Sequence, residues 1–221
     1  MHSSLEKLTL VKNKVNQIVN EKQLKIVPKI IIVTKTFSLD KITPLIDSGH
    51  IHFGENKIQE ADNKWSRVKN NQNLHLHMVG KLQTNKAKKA VQLFDYIHSL
   101  DNEKLAIKLN QYQKELNKKC KLFIQVNFAN EHHKSGIKLS DLYNFYKYCT
   151  KEISLNIIGL MCLPPLDSKP DEYFKILKKS AEQLNLQELS MGMSSDYEQA
   201  ILNGSTYLRL GTIILGKRNL S

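Results

Sequence analysis

Short apolar runs alternate with stretches of helical periodicity along the whole chain, and this alternation limits the fold more than any other feature. Lys29-Ile-Ile-Ile-Val-Thr-Lys35 is a continuous β-branched run of the kind buried on both faces of a sheet. Further runs follow at His50–Phe53, Leu74–Val79, Tyr96–Leu100, Lys121–Asn127 and Asn156–Leu163, and the stretch Ser190–Thr212 reads as two short strands around one amphipathic helix. Between them, residues 39–48, 57–70, 84–94, 101–116, 140–152 and 170–184 carry apolar positions at helical spacing. Strands separated by helices pair in parallel, and eight of them close into a (β/α)8 TIM barrel. A doubly wound open sheet is the alternative. Residues 4–23 add an N-terminal helix, with Leu5, Leu8, Val11, Val15, Ile18 and Val19 on one face, expected across the barrel's outside or end. Asp101 is the expected N-cap of the helix over 101–116, Thr84 or Asn85 begins that over 84–94, and Ser140 or Asp141 caps that over 140–152. No linker or change of composition interrupts the pattern, so residues 1–221 are expected to form one domain.

Composition narrows the setting. The chain is 41% hydrophobic and 24% charged, as in a soluble globular protein, and no apolar run approaches a membrane span. The first twenty residues lack the uninterrupted apolar core of a secretory signal. Cys120, Cys149 and Cys162 fit neither a disulfide framework nor a zinc spacing, which points to a reducing cytoplasm. The net charge of +12 comes from lysines spread over every segment, so nucleic acid is not the expected partner.

In a barrel of this kind the reactive groups lie where strands end. Two clusters there suit an anion: Ser190, Gly192 and Ser194 after one strand, and Arg209, Gly211 and Thr212 after the next. Glycine frees backbone N–H groups, and hydroxyls at a helix start complete a phosphate cradle. Lys35 ends the first strand, beside those two once the barrel closes. A desolvated lysine amine is a nucleophile, and beside a phosphate site it suits a Schiff base with pyridoxal phosphate or with a phosphosugar carbonyl. Arg209 is either an exposed turn residue or a partner for a pyridine nitrogen, which it would keep unprotonated. Glu55 is a candidate acid or base, or else a solvated or helix-capping carboxylate. His52, His75 and His77 could suggest a metal, but no cysteine or carboxylate partner is evident and packed or hydrogen-bonded rings are expected. Met161, Met191 and Met193 are expected to pack the barrel mouth.

Taken in order, the motifs resemble the pyridoxal phosphate homeostasis protein family, the single-domain relatives of the alanine racemase barrel. The resemblance rests on Val33-Thr-Lys35-Thr, Phe53-Gly-Glu-Asn56 with Gln59-Glu60, His77-Met-Val-Gly-Lys-Leu-Gln-Thr-Asn-Lys86, Lys134-Ser-Gly136, Gly159-Leu-Met161, Ser190-Met-Gly-Met-Ser-Ser-Asp196 and Arg209-Leu-Gly-Thr212 through Gly216. It implies pyridoxal 5'-phosphate held as a Schiff base on Lys35, with Asn56 near the ring hydroxyl and Arg209 facing the ring nitrogen. It implies that Ser190, Ser194, Gly211 and Thr212 hold the phosphate. It further implies a monomeric vitamin B6 homeostasis protein that handles the cofactor, with PLP-dependent apoenzymes as recipients and no robust catalysis. Lys81, Cys162 and Asn130-Glu-His-His133 depart from the family's usual residues, away from the implied cofactor contacts.

Three other readings compete. A racemase needs a second base on the opposite face of its substrate, which in the racemases a further domain of the other subunit supplies. This chain stops soon after its last βα unit, so racemisation is expected to be negligible. A Schiff-base aldolase would trap a phosphosugar on Lys35. A nucleic-acid binder would show salt-sensitive retention on RNA or DNA.

Overall fold

The computed structural model describes residues 3–66, 68, 73–128, 135–165 and 169–217. Asn130-Glu-His-His133 and Lys134 lie outside them. The chain runs α1 (Ser3–Glu21), β1 (Lys29–Val33), α2 (Leu39–Asp47), β2 (His52–Glu55), α3 (Ile58–Trp65), β3 (His75–Met78), α4 (Ala87–Leu93), β4 (Tyr96–Leu100), α5 (Glu103–Glu115), β5 (Lys121–Asn127) and β6 (Ile137–Lys138). It continues with α6 (Leu142–Lys147), β7 (Ile157–Cys162), α7 (Pro170–Gln183), β8 (Glu188–Ser190), α8 (Tyr197–Leu202), β9 (Tyr207–Leu210) and α9 (Thr212–Leu215). All pairings are parallel. The sheet runs β4-β3-β2-β1-β9-β8-β7-β5, and β4 pairs with β5 to close the barrel. The two-residue β6, which the apolar pattern does not announce, adds to β5 beside Val126 and Asn127.

Alternation along the strands separates two cores. Ile30 and Ile32 join the continuous apolar layer between strands and helices, while Ile31 joins Tyr96, Phe123, Met161 and Tyr207 in a cluster within the barrel. Met161 is therefore a residue of the barrel interior and Met191 one of the outer layer, rather than both packing the mouth. The helix α1 buries Leu8, Val11, Val15, Ile18 and Val19 against the barrel's outside, beside α2, α8 and α9.

Several boundaries differ from the sequence pattern, each for a local reason. Strand β2 starts and ends two residues later than the run His50–Phe53, because Gly54 and Glu55 stay in register with Val33 on one side and with His77 and Met78 on the other. A carboxylate can occupy that buried position because α3 brings a lysine to it. Strand β1 stops at Val33, and Thr34 to Phe37 form a turn closed by the Phe37 N–H donating to the Thr34 carbonyl at 3.1 Å. The helix expected over 57–70 covers Ile58–Trp65. Asn102, not Asp101, caps α5, accepting from the Leu105 N–H at 2.9 Å while its own amide donates to Asp101. Asp141 occupies the N-cap position of α6 but its side chain makes no capping bond and accepts from Ser140 instead, and the region divides into a 3-10 turn, α6 and a π-helical turn at Tyr148–Glu152. The helical stretch over 84–94 does begin at Thr84, with a 3-10 turn over Thr84–Lys86 that leads into α4. Among the described residues, no helix is long and apolar enough to cross a membrane.

Candidate functional site at the barrel mouth

Lys35 sits in the turn after β1, and helix α3 fastens that turn from outside the barrel. Glu55, at the end of β2, is fully buried and faces the helix layer. Its Oε1 accepts from Thr34 Oγ1 at 2.6 Å, from Lys64 Nζ at 2.7 Å and from Trp65 Nε1 at 2.9 Å. The same lysine donates to the Thr34 carbonyl at 2.8 Å and to Glu60 Oε1 at 3.0 Å, and Glu60 accepts the Thr36 N–H. Thr36 has a φ of 69°, a left-handed conformation that a non-glycine residue keeps only where its surroundings hold it. Glu55 is thus neither a solvated carboxylate nor a helix cap, but the centre of a clamp on the lysine turn.

The carboxyl ends of the strands open onto a cavity of about 450 Å³. Seven of the residues singled out by sequence line it: Lys35, Asn56, Met193, Ser194, Arg209, Gly211 and Thr212. They come from the ends of four strands, and only the closure of the barrel brings them together. Val33, Phe37, Val79 and Leu163 supply apolar walls. Phe37 and Leu163 could have been found in the sequence, since each is a large apolar residue just beyond a strand end. Gly192 has a φ of 94°, and a Cβ there would lie 2.6 Å from the Ala200 side chain, so only glycine lets β8 turn into the loop that carries Ser194. That loop is tied down by Asp196, whose Oδ1 accepts the Met193 N–H at 2.6 Å, and by Ser194 Oγ, which accepts the Ile213 N–H of α9 at 3.3 Å.

Ser190 is the exception among the expected phosphate ligands. It is fully buried below the cavity, and its hydroxyl is taken by Arg209 NH1 at 2.7 Å and by His98 Nδ1 at 2.8 Å. Arg209 is only 5% exposed, and its NH2 donates to the Cys162 carbonyl at 2.8 Å. Arg209 is therefore an interior residue whose face reaches the cavity, not an exposed turn arginine. Burial lowers its basicity, but a guanidinium remains charged at any ordinary pH. The histidines are packed and hydrogen-bonded: His98 Nε2 meets His77 Nδ1 at 2.9 Å, and His77 Nε2 meets His52 Nδ1 at 3.0 Å. His52 and His75 stack with centroids 5.1 Å apart. Among the described residues, no group of side chains is arranged to hold a metal ion. Cys120, Cys149 and Cys162 are buried free thiols, and burial pushes Cys149 and Cys162 up to about 12.

Residues 8–219 match the family described as alanine racemase, N-terminal domain. The pyridoxal phosphate homeostasis protein of Synechocystis sp. is 39% identical over 199 residues, which cover 86% of this chain and 91% of that one. The protein of the same name from Escherichia coli is 32% identical over 205 residues, 87% of this chain and 86% of that one. The solved structure of PipY from Synechococcus elongatus with PLP bound superposes with a TM-score of 0.80 at 33% identity, covering 91% of this chain and all of that one. By the span of the family match and the identity of these relatives, the chain belongs to the alanine racemase N-terminal domain family and, within it, to the pyridoxal phosphate homeostasis proteins.

Proposed function

We propose that this protein binds pyridoxal 5'-phosphate covalently at Lys35 and serves its homeostasis as a carrier rather than as an enzyme. The observation that carries the reading is the convergence on one cavity of a lysine amine, a buried arginine and a glycine-and-hydroxyl cradle. The donor set fits the cofactor. The first turn of α9 opens at Gly211 and Thr212, where backbone N–H groups and the nearby Ser194 hydroxyl suit a phosphate. The apolar walls suit a flat ring, Asn56 suits its hydroxyl, and Arg209 offers the ring nitrogen a cation with no proton to give up. When bound, the cofactor supplies a carbonyl for the lysine and an electron-withdrawing ring.

The remaining side chains explain why holding prevails over turnover. Among the described residues lining the cavity, Lys35 carries the only side-chain amine, and no histidine, tyrosine, carboxylate or cysteine joins it as a second acid or base. An arginine at the ring nitrogen also weakens the ring as an electron sink. Recipient apoenzymes, a cytoplasmic location and a monomeric state belong to the same proposal.

The test is an absorption spectrum of the purified protein with added pyridoxal phosphate, followed by borohydride reduction and peptide mass spectrometry. The expected result is a visible band and a reduced adduct on Lys35, both lost in Lys35→Ala. A wild type that remains colourless with cofactor present would overturn binding, and ordinary amino-acid racemase turnover with saturating cofactor would overturn the carrier assignment.

A further inference from the structure

A line of buried polar side chains leaves the underside of the cavity and runs down the inside of the barrel: Arg209, Ser190, His98, His77 and His52, joined by four successive hydrogen bonds of 2.7 to 3.0 Å. It crosses from the carboxyl ends of β8 and β9 to the first residue of β2. Donor counting fixes its direction. Arginine only donates, so the Ser190 oxygen accepts from it. Ser190 is fully buried and, among the described residues, its hydroxyl meets only Arg209 and His98, so its one proton goes to His98 Nδ1. A neutral His98 then carries its proton on Nε2 and donates to His77 Nδ1, and His77 donates from Nε2 to His52 Nδ1. The rings are neutral for a physical reason. Burial first, then the Arg209 charge, holds His98 well below the usual histidine range; burial first, then His98 and His52, does the same for His77. Burial and then His75 bring His52 to about 4. The other ionisable groups near the line are His75, His50, Lys29, Lys121, Tyr96 and Tyr207 towards its lower end, and Cys162 and Asp196 near Arg209. None of them is a hydrogen-bond partner of a ring in the line.

We infer that His98 and His77 are positioning residues: the ordered relay fixes Ser190 as an acceptor and so aims the Arg209 guanidinium at the ring nitrogen of pyridoxal phosphate, while contributing no negative charge of its own. This rests on the cofactor reading above. A carboxylate in the place of Ser190 would neutralise the guanidinium. The neutral relay leaves its positive charge directed into the cavity, which keeps a bound ring nitrogen unprotonated.

Two measurements test this. Nitrogen-15 NMR of the ligand-free protein reads the histidine tautomers, and His98 and His77 are expected to carry their protons on Nε2. His98→Phe keeps the stack on Phe123, where the centroids are 4.2 Å apart and the planes 15° from parallel, while deleting both relay nitrogens. Ser190→Ala is the second variant should the first not fold. In either, a cofactor adduct is still trapped on Lys35, but the pH midpoint of its visible band falls by about one unit as the loosened arginine lets the ring nitrogen protonate. A merely structural role would change thermal stability and leave that midpoint alone. His98 protonated on Nδ1, or variants that titrate like the wild type, would overturn the relay. A wild type that forms no adduct sinks the cofactor reading and the positioning role with it, whereas the tautomers decide the order of the relay independently.

Discussion

Asn56 is held on the cavity wall by a missing side chain. A Cβ on Gly80, just beyond β3, would lie 2.3 Å from the Asn56 carbonyl oxygen and 2.7 Å from its Cα. Both are backbone atoms, so neither can swing aside. Gly80→Ala is expected to cost about 1–3 kcal/mol of stability through overpacking. By displacing Asn56 it is also expected to weaken pyridoxal phosphate binding about tenfold, equivalent to about 1.4 kcal/mol. Urea unfolding and an absorbance titration separate the two effects; lowered stability with unchanged affinity would remove Asn56 from the contacts. At this scale the sequence was informative where a residue's position relative to a strand end sufficed. Lys35, Asn56, Ser194, Gly211 and Thr212 all follow strands, Arg209 lies near the end of β9, and the barrel places strand ends together. The burial of Ser190 was not legible, because its hydroxyl is engaged by Arg209 and by His98, the latter 92 positions away on another strand, and these meet only across the barrel interior.

The helix α3 buries Ile58, Ala61 and Trp65 in the core and also controls the lysine turn through the carboxylate it meets. The Lys64 side chain is 8% exposed and that of Glu55 is 0% exposed. Removing one member of such a pair leaves a buried charge without its partner, so Lys64→Met is expected to cost about 3–5 kcal/mol. Glu55→Gln in the same chain relieves the stranded charge, and the double variant is expected to be more stable than the sum of the single losses by about 0.5–3 kcal/mol. A double-mutant cycle in urea checks this, and strict additivity would show that the clamp does not act as a unit. Because Lys64 also donates to the Thr34 carbonyl, the single variant should slow adduct formation at Lys35 as well. This clamp explains the difficulty of placing β2 from sequence. Gly54-Glu55-Asn56 reads as a turn because charge and glycine usually end strands. Here the partner that neutralises the charge comes from the following helix, so the strand continues. The helix faces themselves were legible, since apolar spacing follows directly from what each helix buries. Their caps were not, because adjacent candidates such as Asp101 and Asn102 differ only in which one adopts the capping geometry.

Across the whole molecule, buried histidines give stability a pH dependence with a definite sign. Burial, more than any neighbour, lowers His50 and His52 to about 4 and holds His77 and His98 well below the ordinary range, against 6.5 for an unperturbed histidine. Above about pH 6.5 these rings are neutral whether the chain is folded or not, and their contribution is complete. As the pH falls below that value, the unfolded chain takes up protons that the folded barrel refuses. Stability is therefore lost progressively towards pH 4, with the steepest loss where the unfolded rings are charged and the folded ones are not. Each ring that stays neutral adds up to about 1.4 kcal/mol per pH unit to the slope, and His52, being less buried, adds less. The net charge of +12, which rises as histidines and carboxylates protonate, pushes in the same direction. Urea midpoints measured from about pH 7 to about pH 4.5 should fall steadily, and His98→Phe should flatten the fall by removing one of the protonating rings. A midpoint that stays level over this range would mean that the folded interior accepts protons, and a relay ordered by neutral rings could not then be the state that holds Arg209.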